Sequence, residues 1–171
     1  MNYNEWLDKG FAFTYQANQI MRVIMSPVGI VCHGNLCSDG SDKKVAINAL
    51  WDTGATVSSI DKNLAKSLSL IPIGKLPVRH AEGVTIQDVY TFNVQLLNQN
   101  FNINVPQAVS GNFGNQNFHM LIGMDIISLG DFFFGQSADS DGKIVSYFSF
   151  AIPSIDRKID FAKELVDERI R

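Results

Sequence analysis

The sequence contains little cysteine: only Cys32 and Cys37 occur in 171 residues. Structural zinc sites use four ligands, commonly from paired cysteines, and no second pair is present. Together with His33, the two cysteines leave open a metal-dependent or redox function, although two reduced thiols are the interpretation that the sequence favours. We therefore predict no metal and no cofactor. A disulfide is expected even less, because we expect a cytoplasmic location.

The sequence also lacks an excess of basic residues and any long apolar run. Its 14 lysines and arginines are outnumbered by 17 acidic residues, which gives a net charge of -3 and a pI near 5.5. Nucleic-acid-binding proteins normally have a basic patch and a high pI, so no nucleic-acid partner is expected. No stretch approaches the roughly 20 apolar residues of a membrane span, and residues 1–10 do not have the pattern of a signal peptide. We therefore expect no membrane partner and a cytoplasmic location.

The overall amino-acid composition is typical of a single folded domain. Hydrophobic residues make up 46% of the chain and charged residues 18%, which excludes a disordered protein. A chain of 171 residues has the length of one domain with a sizeable core. We divide it into an N-terminal extension (1–19), a main domain (20–153) and a C-terminal amphipathic helix (154–171). The helix is predicted from an apolar stripe at helical spacing, formed by Ile155, Ile159, Ala162, Val166 and Ile170.

The pattern of apolar residues predicts that the main domain is built from β-hairpins. The predicted extended segments are residues 11–15, 21–25, 28–32, 45–51, 76–79, 84–96, 101–105, 120–122, 132–134 and 144–150. Ser26-Pro27 is expected to separate the second segment (21–25) from the third (28–32). Two short helices are predicted, one capped by Asp61 and one from Met124 to Leu129. The alternation after Val84 gives the long strand one apolar face and one polar face.

One acidic residue follows directly after an apolar strand and begins a turn of small residues. Residues 49–51 are apolar, and the charge of Asp52 is costly to place after them unless hydrogen bonds or a partner compensate for it. Thr53 offers a hydroxyl, Gly54 offers a backbone N–H without a Cβ beside it, and Ala55 leaves room for a substrate or a second chain. Such a turn suits a carboxylate that faces another carboxylate.

These residues resemble a known family. Asp52-Thr53-Gly54-Ala55, the following residues 56–60 and the downstream Leu121-Ile122-Gly123-Met124-Asp125 are similar to motifs of the retropepsin-like (retroviral-type) aspartic proteases, in particular their bacterial single-domain members. The resemblance covers residues 20–153. It implies a mainly β fold, a closed barrel or β-sandwich of hairpins with a flap and short helices, to which this chain adds the C-terminal helix.

The resemblance also implies a substrate-binding region. In the family, a hairpin like the one that turns at His80-Ala81-Glu82-Gly83 is the flap that closes over a bound peptide. Ile122 and Gly123 would form the segment that passes close to the Asp52 turn, called the psi-loop. Asp125 is expected to cap its helix and not to act as a second acid.

The implied activity is aspartic endopeptidase, in which two carboxylates activate a water molecule. Asp-Thr-Gly occurs once in the chain, so the second Asp52 would come from the other subunit of a homodimer. Thr53 would bond to the partner chain across the two-fold axis, and Gly54 and Ala55 would support the site. The expected partners are a peptide or protein substrate and a second copy of this chain. One alternative is a catalytically silent module of the same fold that dimerises or binds peptides.

Overall fold

The computed structural model describes residues 10–80, 83–96 and 101–154, and within them it contains ten strands and three short helical segments. The strands are β1 (Phe11–Ala17), β2 (Met25–Cys32), β3 (Lys43–Trp51), β4 (Ser59–Asp61), β5 (Gly74–His80), β6 (Gly83–Leu96), β7 (Asn102–Gly111), β8 (Met120–Ile122), β9 (Asp131–Ala138) and β10 (Ile144–Ile152). The helical segments are a 3-10 turn (Gly34–Leu36), α1 (Lys62–Ser67) and α2 (Met124–Ile127). The predicted C-terminal helix lies outside the described residues, apart from Ser154. No helix in the described ranges has the length and apolar character needed to span a membrane.

Six of the strands close into a barrel. The larger sheet has the order β2-β3-β8-β4-β7-β6-β5, and an additional pairing of β2 with β6 joins its two sides. Strand β5 lies at the edge of this sheet, where β6 is its one partner among the described strands. The arrangement confirms the predicted mainly β fold with a closed barrel and short helices.

Large apolar side chains from both sheets fill a common core. Among the described residues, the largest fully buried side chains include Phe92, Phe148, Phe150, Ile30, Ile60, Leu96, Met120 and Ile122. On β6 the buried positions Tyr90, Phe92 and Val94 alternate with half-buried ones, because successive side chains of a strand point to opposite faces. The end of β3 that precedes Asp52 therefore leads out of a well-packed core.

A second sheet packs aromatic rings against the end of β3. Strands β1, β10 and β9 form this sheet, and β1 pairs with β10 from Phe11–Ile152 to Ala17–Ser146. The ring of Trp51 lies 5.0 Å from that of Phe150 and 6.1 Å from that of Phe13. Aromatic pairs of this kind contribute about 0.5–1.5 kcal/mol each beyond their burial. Part of the segment predicted as an N-terminal extension thus supports the strand that ends at Asp52.

The predicted interruption at Ser26-Pro27 is wrong. Strand β2 runs without a break from Met25 to Cys32, and residues 21–24 before it are not in a strand. Pro27 pairs with Asn48 of β3, and within the described residues the pairing of β2 with β6 begins at Val28. Trp51 donates its N–H to the carbonyl oxygen of Ile24, and bonded pairs alternate along an antiparallel ladder, so the ladder with β3 does not need an N–H at position 27.

The capped helix after the Asp52 turn forms as predicted. The side chain of Asp61 accepts hydrogen bonds from the backbone N–H groups of Asn63 and Leu64, which confirms it as the N-cap of α1. Ala65 and Leu68 of this segment are buried. The helix therefore packs its apolar face against the barrel and contributes to the scaffold.

Candidate active site

Asp52 begins a tight turn immediately after β3. Its backbone N–H donates to the carbonyl oxygen of Ile122 at 2.9 Å, which continues the parallel pairing of Trp51 with Ile122. Its Oδ1 accepts the backbone N–H of Gly54 at 2.9 Å, and its carbonyl oxygen accepts the N–H of Ala55 at 3.2 Å. The half-buried carboxylate is thus held by the glycine predicted to bind it, in an orientation that the turn fixes.

The remaining residues of the motif lie at the surface of this turn. Thr53 and Gly54 are exposed, and Ala55 is half-buried. Thr56, on the same turn, is also exposed. The turn therefore offers accessible groups to a substrate or a second chain beside the Asp52 carboxylate.

Gly123 passes against this turn at very short range. A Cβ on Gly123 would lie 2.7 Å from the carbonyl carbon of Val57 and 2.9 Å from the carbonyl oxygen of Ala55. The next residue, Met124, donates its N–H to that same Ala55 oxygen at 2.8 Å. The structure thus brings Ile122 and Gly123 together with the Asp52 turn, and only a residue without a side chain fits at position 123.

Ser58 and Asp125 add a contact that the sequence analysis missed. The fully buried Ser58 donates its hydroxyl to Oδ1 of Asp125 at 2.7 Å and accepts the N–H of Gly123 at 3.1 Å. The expectation that Asp125 caps its helix is wrong, because Gly123 occupies the N-cap position of α2 and Asp125 lies in the first turn. A single serine before a buried strand gives no distinctive signal in the sequence.

The predicted flap is the hairpin formed by β5 and β6. Strands β5 and β6 pair up to His80–Gly83, and the predicted site residues Ala81 and Glu82 lie outside the described residues. Gly83 has a φ of +132°, a conformation that side chains other than glycine rarely adopt. Val84 and Ile86 are 57% and 65% exposed, in contrast to the buried even positions further along β6. Among the described residues, the pairing partners of 83–88 are all on β5, so this part of the hairpin extends from the barrel.

Cys32, His33 and Cys37 do not form a metal site. Both cysteines are buried and free, and burial together with the neighbouring Cys37 thiol raises the pKa of Cys32 to about 12. Metal ligation needs the thiolate, which this environment disfavours. His33 points Nδ1 toward Oδ2 of the exposed Asp42 at 3.7 Å. In the described part of the chain, no three His, Cys, Asp or Glu residues are grouped so that they could hold a metal ion.

The chain is similar to known proteins in two respects, its sequence pattern and its fold. A family model described as aspartyl protease matches residues 38–126, just over half of the chain, and this range includes Asp52 and Gly123. Among solved structures, a retropepsin-like aspartic protease from Rickettsia conorii is similar, with 16% sequence identity, 84% of this chain and 96% of that chain covered, and a TM-score of 0.45. No curated protein matches this sequence significantly.

Proposed function

The chain belongs to the aspartyl protease family, and on this premise we propose that it is a retropepsin-like aspartic endopeptidase that acts as a homodimer. The observation that supports this proposal most strongly is the Asp52 turn. Asp52 is half-buried, its carboxylate is oriented by the N–H of Gly54, and the two residues that follow it are exposed.

The proposed chemistry needs two carboxylates that share one proton, as in aspartic proteases generally. One carboxylate acts as a base and activates a water molecule, while the protonated one donates toward the carbonyl oxygen of the scissile peptide bond. Each chain supplies one Asp52, so a symmetric dimer places the two residues across its two-fold axis. The site is complete only in the dimer, and activity at low concentration then depends on dimerisation.

The flap hairpin gives the proposed enzyme a means of holding an extended peptide. Backbone groups of β5 and β6 near the turn at Gly83 can bond to the backbone of a substrate, as a strand does when it is added to a sheet edge. Closure of the hairpin would also exclude bulk water from the two carboxylates. We propose that His80, Ala81, Glu82 and Gly83 contact the substrate from this side and that Ile122 and Gly123 contact it from the barrel.

The test is cleavage of a mixed library of unstructured peptides at several pH values by the wild type and by Asp52→Asn. The matched control is Asp42→Asn, because the Asp42 carboxylate likewise accepts a glycine N–H, that of Gly34, but lies in an exposed loop. We expect the wild type and the control to cut and Asp52→Asn to be inactive although folded and dimeric. Cleavage by Asp52→Asn would contradict the proposal. A folded wild-type dimer that cleaves no peptide would also contradict it and would favour a peptide-binding module.

The dimer contact proposed for Thr53 has its own test. In the proposed dimer the Thr53 hydroxyl of each subunit bonds to the other chain, so Thr53→Ala removes two hydrogen bonds. We therefore expect the dimer dissociation constant to rise roughly tenfold. Thr56→Ala is the control, because Thr56 is also exposed on this turn. Sedimentation equilibrium measures both variants. Equal dissociation constants for Thr53→Ala and the wild type would remove the cross-axis role.

A further inference from the structure

We propose that Ser58 and Asp125 are positioning residues that fix the Asp52 carboxylate for catalysis, an inference that rests on the proposed endopeptidase function. In this role neither residue touches the substrate. They act through the backbone of residues 122–124, which lies between them and the Asp52 turn.

The first observation is the geometry of the Ser58 hydroxyl. Its side chain is fully buried, its single proton is donated to Oδ1 of Asp125 at 2.7 Å, and its oxygen accepts the N–H of Gly123 at 3.1 Å. The bond to Asp125 is of the charge-assisted kind, which is shorter and stronger than a bond between neutral groups. The hydroxyl therefore has one defined orientation and holds Gly123 in one place.

The second observation is that three consecutive residues of this segment bond to the Asp52 turn or to Ser58, which follows it. The carbonyl oxygen of Ile122 accepts the N–H of Asp52 at 2.9 Å, the N–H of Gly123 donates to Ser58, and the N–H of Met124 donates to the carbonyl oxygen of Ala55 at 2.8 Å. The central bond is the one that depends on a side chain. Releasing it allows residues 122–124 to shift, and the Asp52 backbone shifts with them.

The third observation explains why the partner of Ser58 is Asp125. Oδ1 of Asp125 accepts both the Ser58 hydroxyl and the N–H of Ile126, at 2.7 and 3.1 Å, so α2 holds the acceptor in place. An asparagine oxygen at position 125 can accept the same two bonds, whereas alanine can accept neither. Asparagine should therefore preserve the positioning effect and alanine should abolish it.

The test compares kcat and KM for Ser58→Ala, Asp125→Ala and Asp125→Asn. Because a misplacement of 1 Å can reduce a rate about 100-fold, we expect kcat to fall roughly 10- to 100-fold in both alanine variants with little change in KM. Asp125→Asn should retain most of the wild-type kcat. The matched control is Ser146→Ala, which also removes a fully buried serine hydroxyl that accepts a backbone N–H, that of Met21 at 2.8 Å.

Equal kcat values for Ser58→Ala and Ser146→Ala, or a change confined to KM, would overturn the inference. If Ser58→Ala does not fold, Asp125→Ala is compared with Asp125→Asn instead. Equal kcat values for these two variants would overturn the inference. Amide hydrogen exchange at Gly123 provides a readout without activity: protection should fall in Ser58→Ala and persist in Ser146→Ala. A wild type that cuts no peptide contradicts the proposed function, whereas unchanged protection of Gly123 contradicts the positioning role.

Discussion

Replacing Gly123 with alanine should damage both the stability and the activity of this protein. Gly123 has φ −93° and ψ −173°, a conformation open to any residue, so the cost comes from contacts alone. The new Cβ would lie 2.7 and 2.8 Å from the carbonyl carbon and oxygen of Val57 and 2.9 Å from the carbonyl oxygen of Ala55. These are backbone atoms, and the turn must move by roughly half an ångström to relieve the overlap. Overpacking of this kind costs about 1–3 kcal/mol of folding free energy.

The same displacement moves the turn that holds Asp52. We expect Gly123→Ala to lower kcat roughly tenfold or more, because catalytic rates are sensitive to shifts well below 1 Å. Urea denaturation measures the free energy of unfolding, and cleavage of a peptide selected from the library measures kcat. Gly74→Ala is the control, because no heavy atom lies within 4 Å of the position of its Cβ and its φ is not positive.

Gly74→Ala should change the free energy of unfolding by less than about 1 kcal/mol and leave kcat unaltered. If Gly123→Ala matches this control in both measurements, the close approach of Gly123 to the Asp52 turn does not determine the site. A loss of stability with unchanged kcat would show that Gly123 matters for folding but not for the catalytic geometry. That result would also refute the link between Gly123 and the Asp52 turn.

Two further predictions concern the scaffold. Asp61→Ala removes the acceptor for the N–H groups of Asn63, Leu64 and Phe113, so the free energy of unfolding in urea should fall by about 1–2 kcal/mol; an unchanged midpoint would refute the capping role. The pKa of Cys32 rises from an ordinary 9.0 to about 12 in the folded protein, so the stability that the neutral thiol contributes is present below pH 9 and declines as the pH rises toward 12. Iodoacetamide should therefore label native Cys32 far more slowly than the unfolded chain, and equal rates would contradict its burial.

Features fixed by short stretches of sequence were predictable. The strand before Asp52, the turn with Gly54 and the helix capped by Asp61 each depend on residues close together in the chain. The hairpin that turns near Gly83 also follows from a local alternation of apolar residues. In these cases the local preference of the backbone and the tertiary fold agree.

Features that depend on distant residues were not predictable. Ser58 and Asp125 are 67 positions apart, and nothing in either segment indicates that they meet. Pro27 breaks a strand by local rules, yet it lies within β2 and pairs with Asn48 at a position where the ladder with β3 does not need its N–H. The exposure of Ile86 likewise follows from the length of the hairpin beyond the barrel, which alternation does not encode. Each outcome was set by strand pairing across the fold.

The most direct test of the central claim, one Asp52 from each of two subunits, is a mixing experiment. Wild type is held at a fixed concentration well above the dimer dissociation constant, and an equal amount of Asp52→Asn is added and allowed to exchange subunits. Because half of the wild-type subunits then pair with an inactive partner, peptide cleavage should fall to about half. Asp42→Asn, added in the same way, should not lower the rate. An unchanged rate with fully exchanged Asp52→Asn would show that one subunit suffices and would contradict the shared pair of carboxylates.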